Sequence, residues 1–478
     1  MISIVFDCGA TNVRAVAINE EGEIVRSKSF PNNTQADPGY PQYLIWDVYE
    51  IWDKMCMACR EVVKDIDPAE IAGVTVTTFG VDGAPVDRSG KLLYPMISWQ
   101  CERTVQVMKE IDRYMPLEKI YSESAVQPFN FNTINKIVWL KENHPGILEK
   151  AHRFLFAPAI FGMFLSGEMA NGITMAGTSM MTAKRNRDFS DNILSSLGVS
   201  RNLFGPLSEP GEISGKISSE ASQRTGLPRG LPVVISGHDT QFAIFGSGAG
   251  INQPVLSSGT WEILMVRSET FLSGPEQLKN KITTELDPIK GYYNIGNQWI
   301  ASGMLEWAGR NFFHDLGSNP YKEMIEMAEK VPPGSKGVRI IPAFYEESEG
   351  KGGGQISGLT MGTTRYEIYR AMLESLALKL REGKKAIEEA GGFRSDSILC
   401  VGGGSKNRLW NQLRADIAEV EIKVIDKKET TVLGASLFVQ SACGLAKSPD
   451  EARRKINYKT EVFKPSENAL IYRNLFEY

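Results

Sequence analysis

Short apolar runs alternate with longer runs of helical spacing along almost the whole chain. Near the start, apolar residues gather at 2–6, 13–18 and 23–29, each run strand-sized and separated from the next by small or polar residues. The run 48–64 carries its apolar residues at helical spacing, and a further strand is expected at 71–77. Helical stretches then dominate to 165, and a strand follows at 232–236. From 254 the pattern begins again: PVLSSGTWEILMVRS, residues 254–268, reads as strand, turn, strand. Beyond it the spacing predicts a strand near 291–295, a helix at 304–313, a strand at 337–341 and a long helix at 365–390. A strand at 396–401 and helices at 408–418 and 431–442 complete the pattern. Strands and helices mixed throughout define an α/β chain.

Residues 4–19 and 255–267 share one plan: strand, small-residue turn with Thr, strand. That repetition predicts two related lobes, 1–245 and 246–478. The seam is expected in GHDTQFAIFGSGAG, residues 237–250, where four glycines give a hinge-like composition. A cleft between lobes is a usual place for a small ligand.

Composition narrows the function. A chain of 478 residues, 42% hydrophobic, is long enough for a large core and more than one domain. With a net charge of -4 and no dense Lys/Arg block it offers nucleic acid no electrostatic footprint. Neither a signal-type start nor an uncharged window of membrane-spanning length occurs, so a cytoplasmic protein without a membrane partner is expected. The six cysteines are too thinly spread for a disulfide framework, and Cys56 and Cys59 read as half-buried small hydrophobes of a helix. A homo-oligomer is left open.

In FDCGATNVR, Gly9 allows a tight turn whose amides and Thr11 hydroxyl can donate to phosphate oxygens, joined by Asn12 and Arg14. Asp7 is placed to hold a hydrated magnesium ion beside them. An ordinary polar hairpin turn is the alternative. In CVGGGSKNRLW, a strand ends at Gly402, Gly403 and Gly404, and a helix opens after Asn407; a flat ring or a phosphate can approach such a backbone closely. The alternative is a loose strand-to-helix turn. No Walker loop occurs, and Gly259 and Thr260 mirror the first turn.

Asp239, emerging from an apolar strand in GHDTQ, is the candidate general base for a hydroxyl attacking a γ-phosphorus, although Asp also suits a helix N-cap. His238 beside it is either a structural hydrogen-bonding residue or a sugar ligand. Asp82, Gly83, Trp99, Gln100 and Arg103 are candidate sugar contacts, since Trp faces stack on sugar C–H surfaces while polar groups satisfy hydroxyls. Asn294 and Gln298 are further candidates, equally readable as strand-end turns.

Taken in order, DCGATNVR, IWDVYEIW, SWQCERT, GHDTQ, SSGTWE, GLT before a long helix, and GGGSKNRLWNQ resemble the FGGY family of carbohydrate kinases over nearly the entire chain. The resemblance implies two actin-like, ribonuclease H-type lobes with an interlobe cleft, and ATP and Mg2+ meeting a sugar such as a deoxy-ketose. It implies Asp239 as catalytic base, Asp7 as the metal-associated aspartate, Thr11 and Thr260 as phosphate contacts, and Gly402, Gly403 and Asn407 as the adenosine loop. Cys8, Ala10 and Cys101 depart from the family's usual residues at those places. Rival readings are an actin-superfamily ATPase acting as chaperone or scaffold, and a non-catalytic sugar sensor.

Overall fold

The computed structural model describes residues 1–317, 320–343, 353–427 and 429–476. They pack as two units. The first comprises 1–248 with 269–294 and 429–457; the second comprises 249–268, 295–428 and 458–478.

In the first unit, β1 (Ile2–Cys8) turns into β2 (Asn12–Asn19) and β3 (Ile24–Pro31), all antiparallel. On the other side of β1 lie β4 (Ile71–Thr78) and then β6 (Pro232–Val234), both parallel, with β5 (Ile213–Lys216) antiparallel at the edge. Every residue of β1 and β4 is buried, which suits central strands covered on both faces. The edge strand β3, IVRSKSFP, is mostly exposed and carries Arg and Lys.

The helix Val48–Val63 covers one face; Asp47 caps it by accepting from the amides of Tyr49 and Glu50. The helix Thr430–Ala442 lies over the same sheet. Its Leu433 faces Gly22, and Val439 with Cys443 faces Gly73. The helix Asp239–Gly246 crosses it through paired glycines. A Cβ on Gly246 would sit 2.0 Å from the Thr430 carbonyl, and one on Gly434 1.9 Å from that of Phe242. Gly246 therefore serves close packing.

The second unit repeats the plan. β7 (Pro254–Ser258) and β8 (Trp261–Ser268) form a hairpin, β9 (Ser397–Val401) and β10 (Glu421–Ile425) run parallel beside β7, and β11 (Thr460–Phe463) is antiparallel beyond them. The orders β2-β1-β4-β6-β5 and β8-β7-β9-β10-β11 match pairing for pairing. The long helix Arg365–Gly391 opens with a capping box between Thr364 and Glu367. The strand expected near 291–295 runs instead from Tyr293 to Ile300, so Asn294 and Gln298 lie inside a strand and not at its turn.

Candidate active site

Register brings the two aspartates of the first unit to one end of its sheet. Asp7 pairs with Thr77 across β1 and β4, and Thr78 bridges to His238, so Asp7 and Asp239 leave strand ends two ladder spacings apart, about 10 Å. Each carboxylate acts electrostatically on its surroundings. Burial first, and the Asp7 charge after it, raise the Asp239 pKa to about 6, against the opposing pull of His238. Burial also raises Asp7, although Arg14 opposes it.

Asp239 is the first residue of its helix, with His238 at the cap position. Its Oδ1 accepts from the Thr240 amide at 2.6 Å and from the Thr240 hydroxyl at 3.3 Å. Its Oδ2 finds no partner among the described residues. The side chain keeps 30% of its surface exposed, enough to meet a ligand.

Asp7 uses Oδ2 to accept from both Nε and Nη2 of Arg14, at 2.8 and 2.7 Å. The same guanidinium reaches Glu429 Oε2 at 2.6 Å. Nothing near Glu429 in the sequence marks it for this contact. In the turn itself the Gly9 amide donates to the Asn12 carbonyl at 2.8 Å, while Asn32 Nδ2 holds the Gly9 carbonyl. Thr11 and Asn12 are exposed. The hairpin is thus held from behind, and its tip faces outward.

The candidate sugar residues divide. Trp99 is half-buried, edge-on to Phe131 at 6.2 Å, and its Nε1 is buried without a partner among the described residues; Gln100 is exposed. Asp82 is fully buried. Its Oδ1 pairs with Lys136, and its Oδ2 accepts from Trp46 Nε1 at 2.7 Å and from the Trp99 amide at 3.0 Å. The Arg103 side chain is equally enclosed, against Asp37 at 2.8 Å, Cys101 Sγ at 3.1 Å and the rings of Tyr43 and Trp139. Gly83 lies in a strand where a Cβ would meet the Leu155 carbonyl at 2.5 Å. Asp82 and Arg103 hold the loop that carries Trp99, with their polar atoms already taken up inside the unit, while Gly83 packs against the strand Arg153–Phe156. Between β4 and Asp82, Val81 has φ 63°, a strained value for a β-branched residue, and Thr133, Lys136 and Thr178 tie it down.

His238 stands in a group the sequence did not reveal. Its Nδ1 lies 3.1 Å from Glu285 Oε2, which also accepts from Gln241 Nε2, and Gln241 Oε1 accepts from Asn294 Nδ2. Asn294 is therefore buried behind Gln241, whereas Gln298 belongs to the second unit. Burial opposes a charge on His238, yet Glu285 and Asp239 together hold its pKa above the usual value. Lys184, wholly buried and donating to the Thr284 carbonyl, is pushed down to about 7 by its burial, with Glu285 opposing.

In the second unit the turn Gly259–Thr260 is fixed by three amides: Ala301 donates to the Thr260 carbonyl at 2.9 Å, Gly303 to the same oxygen at 3.3 Å, and Ser302 to that of Gly259 at 3.1 Å. The glycine loop follows β9. Gly402 has φ +87°, and a Cβ there would meet the Ser258 carbonyl at 2.6 Å; a Cβ on Gly404 would lie 2.1 Å from Ser258 Oγ. Gly403 alone faces open space. Asn407 caps the helix Arg408–Ala418, accepting from the Trp410 amide at 3.1 Å. Beneath the loop a fully buried ion pair, Arg414 with Glu262, also takes in Ser258 Oγ at 2.7 Å and Trp299 Nε1 at 2.8 Å.

Paired hairpins with Gly-Thr turns, a half-exposed aspartate raised toward neutrality and a glycine loop ahead of a capped helix are the parts of a phosphotransferase. The chain matches the FGGY family of carbohydrate kinases, N-terminal domain, over residues 2–246 and C-terminal domain over 255–443, and it belongs to that family. It is an ATP-dependent carbohydrate kinase of the actin-like, ribonuclease H-type fold. Among its relatives are the L-fuculokinase of Escherichia coli strain K12, 45% identical with 97% of each chain covered, and that of Haemophilus influenzae, 42% identical with 95% of this chain and 97% of the other. A xylulose kinase structure from Rhodospirillum rubrum shares the fold with a TM-score of 0.87 at 20% identity, covering 99% of this chain and 96% of that one. No helix among the described residues is long and apolar enough to cross a membrane.

Proposed function

We propose that the protein transfers the γ-phosphoryl group of ATP to the C1 hydroxyl of L-fuculose, giving L-fuculose 1-phosphate and ADP. The observation that carries the reading is Asp239: a carboxylate at a strand end, one oxygen held by Thr240 and the other without a partner among the described residues, with its pKa raised to about 6. Such a group is ionised at neutral pH yet basic enough to take a proton.

In the transfer, the hydroxyl proton passes to Asp239 Oδ2 as the sugar oxygen bonds to the γ-phosphorus and the bond to ADP breaks. Trp99, Gln100 and His238 meet the sugar, with Asp82, Gly83, Arg103 and Asn294 supporting them and Gln298 a further polar contact. The turn Gly9–Asn12 with Arg14, and the turn Gly259–Thr260, donate to the phosphates; Gly402, Gly403, Gly404 and Asn407 form the adenosine loop. The working division of roles is sugar and base in 1–245, nucleotide in 246–478.

Asp7 fits a magnesium ion that arrives with the triphosphate. Its Oδ1 has no partner among the described residues, and no group of three or more His, Cys, Asp or Glu among them forms a cage that would hold a metal unaided. Magnesium typically takes one or two carboxylates and completes its shell with water and phosphate, neutralising the transferring group's charge. The enzyme acts in the cytoplasm, where its six free cysteines stay reduced.

ADP release measured with L-fuculose, L-rhamnulose, D-ribulose, L-xylulose and glycerol tests the substrate. L-fuculose is expected to give the highest kcat/KM. ATP consumption independent of any sugar would instead favour an ATPase, and none at all a sugar sensor. Asp239→Asn is expected to bind sugar and nucleotide while losing about 10²–10⁴-fold in kcat. Near wild-type turnover in that variant would reassign the base.

A further inference from the structure

The candidate base does not stand alone. His238 lies between two carboxylates, with Nδ1 3.1 Å from Glu285 and Nε2 3.4 Å from Asp239 Oδ1. A neutral imidazole carries one N–H and satisfies one carboxylate; an imidazolium satisfies both, and the raised His238 pKa favours that form.

Several observations show that this arrangement is built. Glu285 comes from the strand Thr283–Leu286, 47 residues beyond His238, and its Oε2, the oxygen that faces His238, also accepts from Gln241, which Asn294 holds in turn. Lys184 adds a buried cation whose field acts on Glu285, offsetting the cost of burying that carboxylate. Gly80 makes room for the ring: a Cβ there would come within 2.9 Å of His238 Nε2. Gly237, with φ +151° and its carbonyl accepting from Thr78 N and Thr77 Oγ1, fixes the backbone immediately before.

We propose that Glu285 is a positioning residue for the phosphoryl transfer, holding His238 so that its Nε2 pins Asp239 Oδ1 and presents Oδ2 to the acceptor hydroxyl. The proposal rests on Asp239 being the base. Oδ1 already receives the Thr240 amide and hydroxyl, and the imidazole Nε2 stands 3.4 Å from the same oxygen, within ion-pair reach. The carboxylate plane is thereby fixed. Since a misplacement of about 1 Å at a reacting group costs on the order of 10²-fold in rate, a three-residue brace of this kind is worth a large part of the base's effect.

Steady-state kinetics with ATP and whichever panel sugar gives the highest rate test this, comparing Glu285→Gln, Glu285→Asp, His238→Asn, the double variant Glu285→Gln/His238→Asn, and Asp239→Asn. Glu285→Gln is expected to lower kcat by about tenfold or more with KM for ATP within about twofold, and Glu285→Asp to recover part of the loss. In the double variant kcat is expected to match that of His238→Asn within about twofold, because the second change acts only through the first. If Glu285→Gln fails to fold, Glu285→Asp decides: it keeps the charge but draws the carboxylate back from His238, and a kcat loss with KM for the sugar unchanged is expected.

Wild-type kcat in Glu285→Gln or His238→Asn overturns the proposal, as do multiplying effects in the double variant or a loss confined to KM for the sugar, which would make His238 a sugar contact only. Asp239→Asn separates the two levels. If it stays active, the base assignment fails; if it is inactive while the other variants turn over normally, only the role of Glu285 fails.

Discussion

At the scale of single residues, the chemistry depends on how burial treats charge. As the proposed base, Asp239 must be ionised to accept a proton, and burial raises its pKa to about 6, so kcat/KM for the sugar is expected to rise about tenfold per pH unit below 6 and level off above it. Rates measured between pH 5 and 8 check this; a profile already flat at pH 5 contradicts it. The same shift bears on stability. A carboxyl whose folded pKa exceeds its unfolded value of about 3.9 binds its proton more tightly when folded, so its charge destabilises the fold above pH 6. Asp239→Asn is therefore expected to raise Tm at pH 8, the gain shrinking as the pH falls through 6 toward 4. Arg103 shows burial acting the other way: the sequence offers a guanidinium for sugar hydroxyls, and the fold encloses it among Asp37, Cys101 and two rings.

At the scale of elements, the glycine loop separates packing from function. A methyl group on Gly404 would land 2.1 Å from Ser258 Oγ, and overpacking of that kind costs about 1–3 kcal/mol. Gly404→Ala is accordingly expected to lower Tm by several degrees, read by differential scanning calorimetry. At Gly403 a Cβ meets nothing within 4 Å. Gly403→Ala is expected to melt like the parent and, with the adenosine seated at this loop as proposed, to raise KM for ATP. Equal KM for ATP in parent and Gly403→Ala would move the adenosine away from this loop. Three glycines in a row were visible in the sequence, but their division of labour was not, because it depends on Ser258 coming from a strand far away in the chain.

At the scale of the molecule, chain order and packing part company. Segments 269–294 and 429–457 return to the first unit, bringing Glu285 to His238, Glu429 to Arg14 and the helix Thr430–Ala442 onto the sheet. Gln440 Nε2 donates to the Asn19 carbonyl across 421 residues. A fragment ending at Gly248 lacks that covering helix and leaves one face of β1 and β4 in water. It is expected to be insoluble or to lack a cooperative thermal transition by circular dichroism; a sharp transition would show that the returning segments are dispensable.

The central strands, the long helices and the two hairpins were legible in the sequence because each is written in a local period or a local turn, as in the apolar runs 2–6 and 13–18, SSGTWE and the helical spacing of 365–390; the strands Ile213–Lys216, Glu421–Ile425 and Thr460–Phe463 were not. The plan of the fold followed, since a repeated hairpin and the same pairing order make the same sheet twice. The strand at 293–300 was blurred because YNIGNQWI mixes aromatic and polar residues without alternation. The surroundings of the site lay beyond the sequence. That Gln241 holds Asn294, that Gly434 packs beside Gly246, and which carboxylate stands behind His238 are set by residues dozens to hundreds of positions away. Local patterns record what a residue does with its neighbours in the chain; contacts closed by the fold leave no periodic mark, so only the tertiary structure decides them.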